Sequence, residues 1–272
     1  MTKLEYTLKN DTLFKMLFVR YPNLLKRLVA VLLNIKLESI GQFVITNPDI
    51  LPEFKGDKYC RLDINMTVDD QRVDLELQVH NEGDYPERSL YYWAREYSTS
   101  LGEGEEYSTL PRTIIISIVA FKLFECEEFH SVFKPLEITR HTLLTDRMVL
   151  IYFELLKLPK LQEVISSKDE LKLWLTLFNV ETEEELAKIE ALGVPVMEQA
   201  IEAYRKVSTT EEFRELERQR HYAEHNKASA LGHARREGAR EGAKAEREKW
   251  QVVVADKDAL IAELQAKLEG RT

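Results

Sequence analysis

Apolar positions recur along this chain at two different periods, and the switches between them mark out its elements. Residues 10 to 34 repeat them at helical spacing, through Leu13, Phe14, Leu17 and Phe18 and then Leu24, Leu25, Leu28, Val29 and Leu32. Tyr21-Pro22 interrupts the series, so two short helices are predicted. Gln42 to Thr46 is β-rich and runs into the turn signal Asn47-Pro48, which predicts a first strand. In residues 61 to 80, RLDINMTVDDQRVDLELQVH, the apolar positions are even up to Val68 and odd from Val73 onward. A period of 2 with a parity flip predicts a hairpin turning at Asp69-Asp70, in which residues whose numbers sum to 139 face each other. Leu62 then faces Leu77 and Ile64 faces Leu75 on an apolar side, while Asp63 faces Glu76, Arg61 faces Gln78 and Asn65 faces Asp74 on the other.

Residues 87 to 101, ERSLYYWAREYSTSL, predict a helix with Leu90, Tyr91, Ala94, Tyr97 and Leu101 on one stripe, ended by Gly102 and Gly104. The continuous β-branched run TIIISIVAF, 113 to 121, predicts a buried central strand, and residues 129 to 138 and 147 to 156 predict two more. Helix, three strands, helix and strand in that order describe an α/β core around a mixed sheet. From about residue 168 the pattern is helical throughout, and STTEE at 208 to 212 caps a long charged helix. Continuous to Glu269, that helix would be about 90 Å long. Within it, Ala234, Gly238 and Gly242 repeat a small residue every fourth position, and Val254, Ile261, Leu264 and Leu268 form a short coiled-coil seam. Self-association is the natural use of such a seam; a fraying, solvated tail is the alternative that the glycines favour.

Composition narrows the function classes. At 44% hydrophobic and 31% charged, the chain has material for a core, which excludes collagen-like, mucin-like and wholly disordered classes. It has no apolar run of about 18 residues, and its first residues lack the apolar stretch and cleavage site of a secretory signal, so neither a membrane nor an exported protein is expected. Cys60 and Cys126 make no disulfide framework and sit among apolar residues as buried thiols do, which points to a reducing cytosol. Residues 211 to 272 carry 13 basic and 13 acidic side chains, so the whole net charge of −9 belongs to residues 1 to 210. An acidic body argues against nucleic-acid binding by bulk electrostatics. It leaves room for a nuclease, whose metal-binding carboxylates place negative charge where the phosphate must approach.

The hairpin pair is the strongest candidate for chemistry. Like charges directly across a sheet cost roughly 0.2 to 1 kcal/mol per pair, and a bound cation removes that cost. Asp63 and Glu76 offer the oxygen ligands that a hard cation such as Mg²⁺ takes while keeping several waters. Such an ion activates a water and neutralises charge on a scissile phosphate. A solvent-exposed hairpin face is the plain alternative. His221-Tyr222-Ala223-Glu224-His225 matches an inverted zinc-protease motif, but its segment is charged on all sides and offers no third ligand.

Asp63 followed by Glu76-Leu77-Gln78 resembles the PD-(D/E)XK nuclease signature, with Gln in place of the usual Lys. KNDTLFKMLF, DINMTVDDQRVDLELQ, ERSLYYWAREYSTSLGEGEEYSTL, TIIISIVAF and LTDRMVLIYFELLKLPK, in that order, resemble the Rpn family of recombination-promoting nucleases and transposases. The resemblance implies a restriction-endonuclease-like core and Mg²⁺-dependent DNA cleavage linked to recombination or transposition. Asp63 and Glu76 would be the metal ligands and catalytic acids. Gln78 would stand where the lysine stabilises the attacking water, without supplying a positive charge. Arg61, Arg88 and Arg95 are candidates for the missing cation and for phosphate contacts; surface arginines of a helix are the alternative for the last two. Asp11 and Lys15 match the family's opening motif without an assigned role. The implied organisation is a nuclease core over 1–160, a helical extension over 161–209 and a long charged helix over 210–272 that joins copies of the chain. The rival reading is a catalytically impaired DNA-binding or assembly protein that keeps the fold.

Overall fold

The computed structural model describes residues 2–47, 64–167 and 169–269. Helices α1 (Asp11–Arg20) and α2 (Pro22–Leu32) open it. Asn10 starts α1 by accepting the Leu13 N–H at 2.9 Å. Pro22 divides the two helices because it has no N–H to extend α1, yet it suits the first turn of α2.

Strands β1 (Phe43–Ile45), β2 (Ile64–Val68) and β3 (Gln71–Gln78) form an antiparallel meander. Ile64 pairs with Leu75 and Asn65 with Asp74, the register that the parity flip predicts. Asp69 takes a left-handed backbone, φ 51°, at the turn, a conformation that Asp tolerates better than most residues. Its Oδ1 accepts the Gly41 and Gln42 N–H groups at 2.9 and 2.8 Å, tying the hairpin to the chain that enters β1. Cys60, Arg61, Leu62 and Asp63 lie outside the described residues.

Helix α3 (Tyr85–Ser98) returns the chain so that β4 (Thr113–Val119) runs parallel to β3. Strand β6 (Met148–Glu154) runs parallel to β4, and β5 (His130–Phe133) pairs antiparallel with β6 at the edge. The sheet order is β1-β2-β3-β4-β6-β5, with β4 buried along its whole length. One face, carrying Ile64, Leu75, Ile116 and Phe153, shares a large core with α1, α2, α5 (Glu170–Asn179), α6 (Glu183–Glu190) and α7 (Pro195–Ser208). Phe14, Phe18, Trp174 and Phe178 meet there as a cluster of rings. The short α4 (Leu161–Ser167) precedes α5. On the other face Tyr85, Ile115, Val119, Leu150 and Tyr152 form a smaller core beneath α3.

Helix α8 (Glu211–Glu269) is capped by Thr210, whose Oγ1 accepts the Phe213 N–H at 3.2 Å. The chain divides into two compact units, Met1–Leu216 and Glu217–Thr272. Among the described residues no helix is long and apolar enough to cross a membrane.

Two expectations need correction. The apolar stripe of α3 does not face inward: Leu90 and Tyr91 are about half exposed, and the inward residues are Tyr85, Ser89 and Trp93. The sheet beneath presents Glu76, Ser117 and Tyr152, so the helix lays hydroxyls and an indole N–H against it, the latter donating to the Thr113 carbonyl at 3.1 Å. Cys126 is exposed rather than buried, because the apolar run of β4 has ended and acidic loop residues surround it.

A deeply buried ion pair sits at the end of β6. Glu154 accepts from Lys157 at 2.6 Å through Oε2 and from the Leu123 N–H at 2.6 Å through Oε1, with both side chains almost wholly shielded from solvent. Lys157→Met leaves that carboxylate without its cation and is expected to lower stability by about 3 kcal/mol, read as a shift in the urea midpoint. An unchanged midpoint would show that the pair contributes nothing.

Candidate active site

The polar side of the hairpin is a buried side. Alternation along β3 sends Val73, Leu75 and Leu77 into the large core and Asp74, Glu76 and Gln78 to the opposite face, beneath α3. All three polar residues are under 5% exposed. The solvent-exposed face that was the plain alternative is therefore ruled out for these positions. Two carboxylates, Asp74 and Glu76, stand about 7 Å apart along the strand. Keeping an ionised carboxylate out of water costs several kcal/mol, and buried charges are paired, hydrogen-bonded or metal-bound.

Glu76 is held from α3 and flanked by hydroxyls across the sheet. Tyr85, in the first turn of α3, donates its hydroxyl to Glu76 Oε2 at 3.0 Å. Ser117 lies directly across from Glu76 on β4, and Tyr152 directly across from Ser117 on β6, so a carboxylate and two hydroxyls form one row over three parallel strands. Ser89, fully buried on α3, shares a hydrogen bond with the Tyr152 hydroxyl. Burial, aided by the Glu76 charge, pushes the Tyr85 hydroxyl well above its ordinary range, and burial also raises Tyr152. Both remain protonated donors at neutral pH.

Gln78 ends β3. Its Nε2 donates to the His80 carbonyl at 2.6 Å, which fixes the amide plane and commits one N–H to the backbone. Arg88 lies above Tyr85, with Cζ 4.9 Å from the ring centroid and Nη1 donating to Glu82 Oε2 at 2.7 Å. Its Nε and Nη2 are buried without a hydrogen-bond partner. Arg95, two turns further along α3, is exposed.

Glu76, Gln78 and Arg88 thus come together through β3 and the start of α3. Arg61 and Asp63 lie outside the described residues. His221 and His225 are exposed on α8, and among the described residues no group of three or more His, Cys, Asp or Glu is arranged to hold a metal. Among the described residues, the groups placed around Glu76 are oxygens and an amide, a set that suits a hard divalent cation. Sequence reasoning missed Tyr85, Ser89, Ser117 and Tyr152. Helical spacing alone could have placed Tyr85 and Ser89 on one face, one turn apart, but the apolar stripe masked them.

A family model described as PD-(D/E)XK nuclease family transposase matches residues 8–234. No curated protein and no solved structure matches the chain.

Proposed function

The chain belongs to the PD-(D/E)XK nuclease family transposases, and from that premise we propose that it is a Mg²⁺-dependent DNA endonuclease acting in recombination or transposition. Its α/β fold, with α1 and α2, three meander strands, α3 and the parallel β4, is restriction-endonuclease-like. Nucleases of this kind use divalent metals, and DNA is the substrate that the family implies.

The observation that carries the reading is Glu76: a buried carboxylate on the polar hairpin face, held by a phenol, in the place where the family keeps an acid. In the proposed reaction Asp63 and Glu76 would hold the cation, which would supply charge neutralisation and a lowered pKa for a water. Water adds to phosphorus, one ester bond to the sugar breaks, and the departing oxygen takes a proton. Gln78, its plane fixed by the His80 carbonyl, is the group that orients the water. Arg88 offers Nε and Nη2 as two adjacent donors to phosphate oxygens, and Arg61 and Arg95 are further candidates for phosphate contacts. On this reading the protein acts in the cytoplasm and assembles through the seam of α8.

Gln78 is the position that tests the division of labour. Gln78→Ala is expected to slow cleavage of a labelled duplex by about 10- to 1,000-fold, the range for losing one preorganised hydrogen-bonding group. Gln78→Lys, which puts the commoner residue beside Glu76, should be tolerated or faster. A stably folded Lys variant without activity would mean that the amide has a different role. One observation favours the rival, a DNA-binding or assembly protein that no longer cuts: a Gln78 N–H is already committed to His80. The same duplex decides between them, since the rival retains it uncut in Mg²⁺.

A further inference from the structure

We infer that Tyr85 is the positioning residue of this site: its hydroxyl aims the Glu76 carboxylate at the cation while its ring seats the Arg88 guanidinium. The inference rests on the reading of Glu76 as a cation ligand. One side chain would then align the ligand that holds the metal with the donors that hold the phosphate.

The final torsion of a glutamate is soft, so an unrestrained Glu76 would present its two oxygens in many orientations. A donor at Oε2 removes that freedom only if the donor is itself immobile. Tyr85 is fully buried, with the edge-on rings of Phe121 and Tyr152 at 6.1 and 6.4 Å. Its backbone belongs to the first turn of α3, entered through Gly83 at φ 85°, a conformation that glycine adopts without steric cost. Only nine residues separate it from Glu76, so the loop after β3 folds straight back over the strand that it leaves. Beneath the contact, Ser117 lies buried directly across from Glu76 on β4, so the Tyr85 hydroxyl meets Glu76 Oε2 in a shielded setting.

The ring has a second task. Residues 85 and 88 are neighbours on one helical face, and the guanidinium of Arg88 sits over the Tyr85 ring, where the π-face attracts a cation. With Nη1 committed to Glu82, Nε and Nη2 are left buried without a hydrogen-bond partner, and they are the paired edge that would meet two oxygens of a phosphate brought to the site.

Mn²⁺ binding to the full chain, followed by electron paramagnetic resonance and calorimetry, tests the first task without needing turnover. Tyr85→Phe keeps the ring and its contacts. It is expected to weaken Mn²⁺ binding by about 10- to 100-fold, the usual effect of losing a partner that orients a ligand. It should raise the Mg²⁺ concentration for half-maximal cleavage in parallel and leave the KM for DNA unchanged. Tyr85→Leu removes the seat of Arg88 as well, and should add an increase of about 10-fold in that KM. A folded Tyr85→Phe protein with wild-type Mn²⁺ affinity overturns the inference. If Glu76→Gln loses Mn²⁺ while Tyr85→Phe retains it, only the role of Tyr85 falls. If the wild type takes up no Mn²⁺ at millimolar concentration, the ligand role of Glu76 falls with it.

Discussion

Glu76→Gln is expected to reduce Mg²⁺-dependent cleavage by at least about 1,000-fold while the protein stays folded. The substitution is nearly isosteric, and the new amide oxygen can still accept the Tyr85 hydroxyl that now reaches Oε2 at 3.0 Å. What it removes is the charge. Since Glu76 is 3% exposed, its ionised form carries a desolvation cost that the amide does not, and the melting temperature should hold or rise. A lost activity with a retained or raised melting temperature is the signature of a residue kept for chemistry against stability. Asp63→Asn should likewise lose Mg²⁺-dependent cleavage. Full activity in either purified variant would contradict the site, and joint loss of activity and fold in Glu76→Gln would mark Glu76 as a structural acid.

Truncation after Leu216 is expected to turn a protein that makes double-strand breaks into one that nicks. The proposed site cuts one strand at a time, so a double-strand break needs two copies on one duplex. Val254, Ile261 and Leu264 on α8 are each about half exposed, a seam of two heptads that gives weak association at most. The cut must fall after Leu216 and not at the start of α8. Phe213 is fully buried, edge-on to Tyr6 at 4.8 Å, and deleting a core phenylalanine costs about 3 to 5 kcal/mol. Light scattering at micromolar concentration should give a mass above the monomer for the full chain and the monomer mass for residues 1 to 216. Equal monomer masses would remove the assembly role.

Much of this architecture is legible before any coordinate, for physical reasons that differ between elements. The hairpin reads cleanly because strand parity is a strict period of 2, so a flip at Asp69-Asp70 admits one register, and Ile64 pairs with Leu75 accordingly. Helices α1 and α2 read cleanly because Pro22 terminates one and opens the other. The orientation of α3 does not, since an apolar stripe predicts its buried face only when the facing surface is apolar. The surface here carries Glu76, Ser117 and Tyr152, and the stripe of Leu90 and Tyr91 turns away. For the same reason the acid was legible and its holder was not. Glu76 follows from parity, whereas Tyr85 reaches it through a loop conformation that includes Gly83 at a positive φ. The fate of Gln78 was also hidden, because its bond to the His80 carbonyl depends on the path of the chain after β3.

The central claim, that the polar hairpin face is a cation-dependent cleavage site, is tested most directly on supercoiled plasmid. Wild-type protein and Glu76→Gln are compared in Mg²⁺ and in EDTA, with DNA topology read on a gel. Relaxed or linear plasmid is expected only with the wild type in Mg²⁺, and intact supercoils in the other three reactions. Supercoils left intact by folded wild-type protein in Mg²⁺, or equal cutting by the Glu76→Gln variant, would contradict that claim.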